Sequence, residues 1–101
     1  MEELREFLFS IYVMLKFNHP DIIYEEFECQ TLSYFIEFHC KSLIRIKVDK
    51  DAGKYLILIY GEPYYCKKIS GVKKIISNNL EHVENILIDL EEKKYDRWSF
   101  A

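Results

Sequence analysis

Cys66 is followed by Lys67 and Lys68 and then by the start of a helical pattern, and both cationic neighbours and a helix N-terminus lower a thiol's pKa. A nucleophilic thiolate also needs a base and an orienting group, and no spacing places His39 or His82 beside it, so Cys66 reads as a packed cysteine. His19, His39 and His82, with Cys29, Cys40 and Cys66, are the soft metal ligands of the chain. A tetrahedral site needs about four such groups converging on one ion. No C-x-x-C or paired-histidine spacing occurs, and His39 and Cys40 are neighbours that point apart on a strand. The acidic pairs Glu25/Glu26 and Glu91/Glu92 diverge in the same way and do not make the opposed carboxylates of a hydrolase. Gly53, Gly61 and Gly71 are the only glycines and fit neither spacing of a phosphate-binding loop. The expectation is a protein with no catalytic residue, no metal and no cofactor.

A second kind of chemistry lies in rings beside cations. Tyr64 and Tyr65 precede Lys67 and Lys68, and Arg45, Lys47, Lys73 and Lys74 belong to the same basic stretch. Stacking rings plus cations is how single-stranded nucleic acids are held, so these eight residues form the nucleic-acid reading of segment 41–74.

The elements that must position these groups follow from periodicity. In 101 residues there is room for one domain, 1–101, with 95–101 an aromatic tail whose Trp98 and Phe100 either fold back or meet a partner. Leu4, Phe7, Leu8, Ile11, Met14 and Leu15 predict a helix over 3–17, stopped by Asn18-His19-Pro20. Phe9, Tyr12 and Val13 interrupt its polar face, and a helix apolar nearly all round is normally covered on more than one side. Phe7, Phe9, Tyr12 and Val13 are therefore the expected interface of a homodimer. Residues 21–31 read as a strand or a short helix, the strand being preferred.

Alternation at Tyr34, Ile36, Phe38 and Cys40, at Ile44, Ile46 and Val48, and at Tyr55, Ile57 and Ile59 predicts a meander, with Asp51-Ala52-Gly53 in a turn and Pro63 ending the sheet. A four-residue loop from Lys50 to Gly53 sets Val48 opposite Tyr55, Ile46 opposite Ile57 and Ile44 opposite Ile59. The other face then carries Phe35, Glu37, His39, Leu43, Arg45, Lys47, Leu56, Leu58 and Tyr60, too apolar for plain solvent and too charged for a core. Val72, Ile75, Ile76, Leu80, Val83, Leu87 and Leu90 give a helix over 72–94, which Ser70 can cap. The fold expected is α+β, a three- or four-stranded antiparallel sheet with both helices packed on one face.

Charge is segregated: residues 1–31 carry 2 basic and 7 acidic groups, 32–79 carry 9 and 4, and 80–101 carry 3 and 6. Such a basic middle attracts an anionic partner or is neutralised by the acidic ends folding over it. The acidic start and the odd number of cysteines fit a reduced, cytoplasmic setting. Two functions are expected from this. The first is a non-enzymatic module that occupies a partner protein through Arg45, Lys47, Leu56, Leu58, Tyr60, Tyr64 and Tyr65. The second is nucleic-acid binding through the basic segment. Small phage- or virus-encoded inhibitors of host defence, anti-CRISPR proteins among them, share this size and lack of catalytic motifs, an analogy of kind that carries no motif.

Overall fold

A computed structural model describes residues 2–29, 31–49 and 51–99, with side chains described through Lys93. Helix α1 (Glu2–Asn18) leads into strands β1 (Ile22–Glu28), β2 (Leu32–Phe38), β3 (Lys41–Asp49), β4 (Lys54–Ile59) and β5 (Glu62–Cys66), and helix α2 (Ile69–Ser99) follows. All neighbours pair antiparallel in the order β1-β2-β3-β4-β5. The α+β class is as expected. The sheet has five strands, not three or four, because Pro63 does not end it: it sits in β5 opposite Leu58, on an edge strand, where a residue without an N–H is tolerated. Residues 95–99, expected in a tail, continue the backbone of α2, and the side chains of Trp98 and Phe100 lie outside the described residues.

The hairpins are built by local chemistry. Asp49 Oδ1 accepts from the backbone N–H groups of Asp51 and Ala52 at 3.1 and 3.0 Å, and Gly53 supplies a φ of 64°, so the β3–β4 loop closes in the expected register. The other two turns are tighter. His39 and Cys40 (φ 46° and 66°) join β2 to β3, and Tyr60 and Gly61 (φ 47° and 87°) join β4 to β5; paired left-handed residues match the twist of the flanking strands. A bulge interrupts β3 where Ile36 faces Ile44 but Glu37 faces Ser42. The extra residue, Leu43, is fully buried, and its carbonyl accepts from the Tyr60 N–H at 2.8 Å.

One face of the sheet meets both helices. Tyr34, Ile36, Phe38, Ile44, Ile46, Val48, Ile57 and Ile59 are buried there against Leu4, Leu8, Ile11 and Leu15 of α1 and Val72, Ile76, Val83, Leu87 and Leu90 of α2. Five strands are an odd number, so a chain that enters from α1 leaves into α2 running the same way. Two contacts mark the parallel pair: Lys73 Nζ lies 2.8 Å from Glu3 near the helix starts, and His19 Nδ1 bonds Glu91 at the other end. The Lys68 carbonyl accepts from Gly71 and Val72, so α2 begins before Ser70, which lies inside the helix and does not cap it. Gly71 is needed for proximity: a Cβ there would come within 3.1 Å of Cys66 Cβ.

Burial raises the pKa of Tyr24, and the hydrogen bond its hydroxyl donates to Glu26 at 2.7 Å adds to the rise; burial also raises that of Tyr34. In the unfolded chain both phenols ionise near the ordinary value of 10, while the folded chain keeps their protons. Above that pH the native state binds more protons than the unfolded state, so stability falls as pH rises further. Chemical denaturation at a series of alkaline pH values is expected to show this decline, and Tyr24→Phe is expected to flatten it.

Candidate functional site

The face of the sheet away from the helices has no covering layer among the described residues, and period-two alternation decides what it shows. In β1, Ile22, Tyr24 and Glu26 pair on the helix side, which turns Ile23, Glu25 and Phe27 outward. Two cross-strand rows result. One runs Glu25, Phe35, Arg45, Leu58, Pro63 and the other Phe27, Ser33, Lys47, Leu56, Tyr65.

Phe27 and Tyr65, 64% and 72% exposed, stand at the two edges, while Phe35, Leu56 and Leu58 are half-buried between them. The Arg45 guanidinium lies 4.7 Å from the centre of the Phe35 ring, a contact worth about 0.5–1 kcal/mol at an accessible site. Arg45 Nε is buried with no hydrogen-bond partner among the described residues, an orphan donor of the kind that normally costs about 1–3 kcal/mol. Apolar anchors thus surround two cations at the centre of the face, and Glu25 and Glu37 stand to one side.

The expected partner-binding residues fall in three places. Arg45, Lys47, Leu56, Leu58 and Tyr65 share this face. Tyr60 is in the β4–β5 turn, and Tyr64, opposite Ile57, packs under the helices against the core. His39 is likewise in a turn and Leu43 is in the core, so neither belongs to the outer face, where alternation alone would put them.

The nucleic-acid set is divided further. Tyr64 and Tyr65 point to opposite faces, Lys67 and Lys68 lie in the β5–α2 connection, and Lys73 is bound to Glu3 and lies 5.8 Å from the Phe7 ring centre. Arg45, Lys47 and Tyr65 of that set share the open face, while Lys67, Lys68, Lys73 and Lys74 lie around the start of α2. Of the expected dimer residues, Phe7 and Tyr12 pack partly against the core, whereas Phe9 and Val13 are exposed. Sequence reasoning missed Ile23 and Phe27, which alternation would have placed on the open face once 21–31 was paired with β2. It also missed Phe17 on α1, which continues the four-residue spacing of Phe9 and Val13.

Cys66 and His39 are already engaged, and Cys29 and Cys40 are exposed thiols. Burial pushes the Cys66 thiol up from its ordinary pKa, partly offset by a hydrogen bond with the Lys68 backbone, the opposite of an activated nucleophile. His39 Nε2 lies 3.6 Å from Asp21, and no cluster of three metal-ligating side chains occurs among the described residues. A shallow groove between α1 and β1 is lined by Arg5, Glu6, Phe9, Ser10, Tyr24 and Glu26, but its one cation is spent internally: Glu26 accepts from Arg5 Nε at 2.8 Å and from the Tyr24 hydroxyl. No described helix is long and apolar enough to cross a membrane. Protein-family models, curated proteins and solved structures were all compared with the chain, and none matches.

Proposed function

We propose that this chain is a non-enzymatic module that acts stoichiometrically, docking a partner protein on the open face of its sheet, in the manner of a small inhibitor. The observation that carries the reading is the composition of that face: Phe35, Leu56 and Leu58 half-buried around Arg45 and Lys47, with Phe27 and Tyr65 exposed at the edges. Aromatic and arginine anchors within a polar rim are what protein interfaces use. The guanidinium of Arg45 and the ammonium of Lys47 call for a partner that brings carboxylates among apolar side chains, since carboxylates accept charge-assisted hydrogen bonds from both cations. Division of the basic segment over several surfaces favours a protein over a nucleic acid as partner.

The test is affinity capture from the native host, with and without nuclease, using the wild-type chain and the pair Arg45→Glu with Lys47→Glu. A protein held by the wild type after nuclease treatment is expected to lose about 100-fold in affinity for the pair, with the thermal midpoint little changed. Cys66→Ser is expected to hold it equally well. Capture of nucleic acid in place of protein, or capture indifferent to both charge reversals, overturns the reading.

A further inference from the structure

Helix α1 has a second apolar side. Leu4, Leu8, Ile11 and Leu15 are buried on the sheet, and on the side turned away from them Val13 and Phe17 are 52% and 89% exposed, with Phe9, at 51%, reaching from the same row toward Tyr24 of β1. Residues four apart stand above one another on a helix, so these three form a continuous stripe, with Met14 beside it, also exposed. A side chain as exposed as Phe17 gains nothing from the fold itself.

The charges flanking the stripe indicate what covers it. Toward the N-terminal end stand Glu2 and Glu6, and toward the C-terminal end stands Lys16. Arg5, the other cation of the helix, is committed to Glu26. A second α1 laid parallel would set acid on acid. Laid antiparallel, it sets the acidic end of each helix on the basic end of the other, and it opposes the two helix dipoles favourably as well.

We propose that two copies of this chain pair through α1, antiparallel about a two-fold axis at the level of Ile11. Glu6 of each copy then stands level with Lys16 of the other, and Phe9 level with Val13, while Phe17 lies across the first turns of the opposite helix. Positions 6, 9, 13 and 16 alternate in steps of three and four, the spacing by which two helices interlock. Lys16 donates to the Tyr12 hydroxyl at 2.8 Å, and an ammonium with three donors keeps that bond while making another. The pattern is self-complementary under one operation only, the closed two-fold that most soluble dimers use. Pairing through the helix layer leaves both open sheet faces on the outside, so that each dimer presents two docking faces; that consequence rests on the proposed function, whereas the pairing does not.

The interface of two 17-residue helices, each about 25 Å long, is smaller than a standard protein–protein contact, so dissociation in the micromolar range is expected. Sedimentation equilibrium of the wild-type chain is expected to give about twice the 12.2 kDa chain mass at roughly 100 µM, falling on dilution. Val13→Arg, an exposed change, is expected to leave the circular dichroism unaltered and the chain monomeric. Glu6→Lys alone is expected to weaken the dimer about 10-fold by facing lysine with lysine in two places, and Glu6→Lys with Lys16→Glu to restore it. A monomer at every concentration overturns the proposal. So does a dimer that survives Val13→Arg but dissociates with Leu56→Arg on the open face, or a charge exchange that fails to restore what the single reversal loses.

Discussion

Ile46→Ala is expected to cost about 3–4 kcal/mol, within the range measured when large aliphatic side chains are truncated in a core. Ile46 is completely buried on β3, the central strand, between Tyr34 of β2 and Ile57 of β4 and beneath the helix layer. A domain of this size has about 5–15 kcal/mol of stability in all, so the thermal midpoint should fall by more than about 10 °C. The next residue along the strand is the control. Lys47 points to the open face, and Lys47→Ala should change stability by less than about 1 kcal/mol. Comparable losses at the two positions would mean that the second face is covered too, which would remove the surface on which partner docking is argued.

This contrast of faces is also what made much of the fold legible. Ile44, Ile46, Val48, Ile57 and Ile59 alternate without interruption, and a loop from Lys50 to Gly53 permits one register that keeps them together, the register observed. Slipping it by one residue would turn the isoleucines of the slipped strand to the open face. The strand expected within 21–31 forms as β1 over Ile22–Glu28 for the same reason, since Ile22 and Tyr24 find apolar partners in Phe38 and Ile36. β5 was hidden because Glu62-Pro63-Tyr64-Tyr65-Cys66 has no apolar alternation and contains the residue least expected in a sheet. Only its edge position makes Pro63 acceptable.

The site was read less completely than the core, and each miss has a local cause. Counting by twos through Leu43 fails because the bulge inserts a residue, turning Leu43 inward. Counting through His39 and Tyr60 fails because both adopt left-handed backbone in tight turns, a conformation usually filled by glycine or asparagine and therefore invisible in these residue types. Tyr64 and Tyr65 look like a pair in sequence, yet adjacent residues of a strand face opposite ways, and only Tyr65 reaches the open face. On α1 the excess of apolar residues was evident. How it divides was not: Phe7 and Tyr12 lean onto the core, with Tyr12 and Phe9 packed around Tyr24 at ring separations of 5.7 and 5.9 Å, while Val13 and Phe17 stay in water. The segregated charges also resolve in part as the neutralising alternative, acidic end on basic middle, since Glu3 of the first segment takes Lys73 of the second as its partner and its carboxyl is held below the ordinary range by that contact.

His19→Ala is expected to be the most damaging polar substitution, at about 2–3 kcal/mol. Just past the end of α1, His19 is buried, its N–H donates to the Leu15 carbonyl at 2.9 Å, and its own carbonyl accepts from Ile22 as the chain turns into β1. Its Nδ1 donates to Glu91, and because a carboxylate can only accept, the geometry assigns the proton to that nitrogen. Removal of the ring therefore leaves a cavity between the helices and deprives Glu91 of its partner at once. Glu3 and Lys73, at the other end of the helix pair, are accessible to water, and Lys73→Ala should cost no more than about 1 kcal/mol. The carboxylate's share can be separated by a cycle of His19→Ala, Glu91→Ala and the double variant, where a coupling of about 1–2 kcal/mol is expected. His19→Asn, whose amide can stand near the position of Nδ1, should recover part of the loss. Because the two helices touch through few residues at this end, hydrogen exchange in His19→Ala should quicken first in α2 around Leu87 and Leu90, ahead of the central strands. If His19→Ala unfolds within about 0.5 kcal/mol of the wild type, or if exchange quickens uniformly, the pair is not what fixes the far ends of the two helices together.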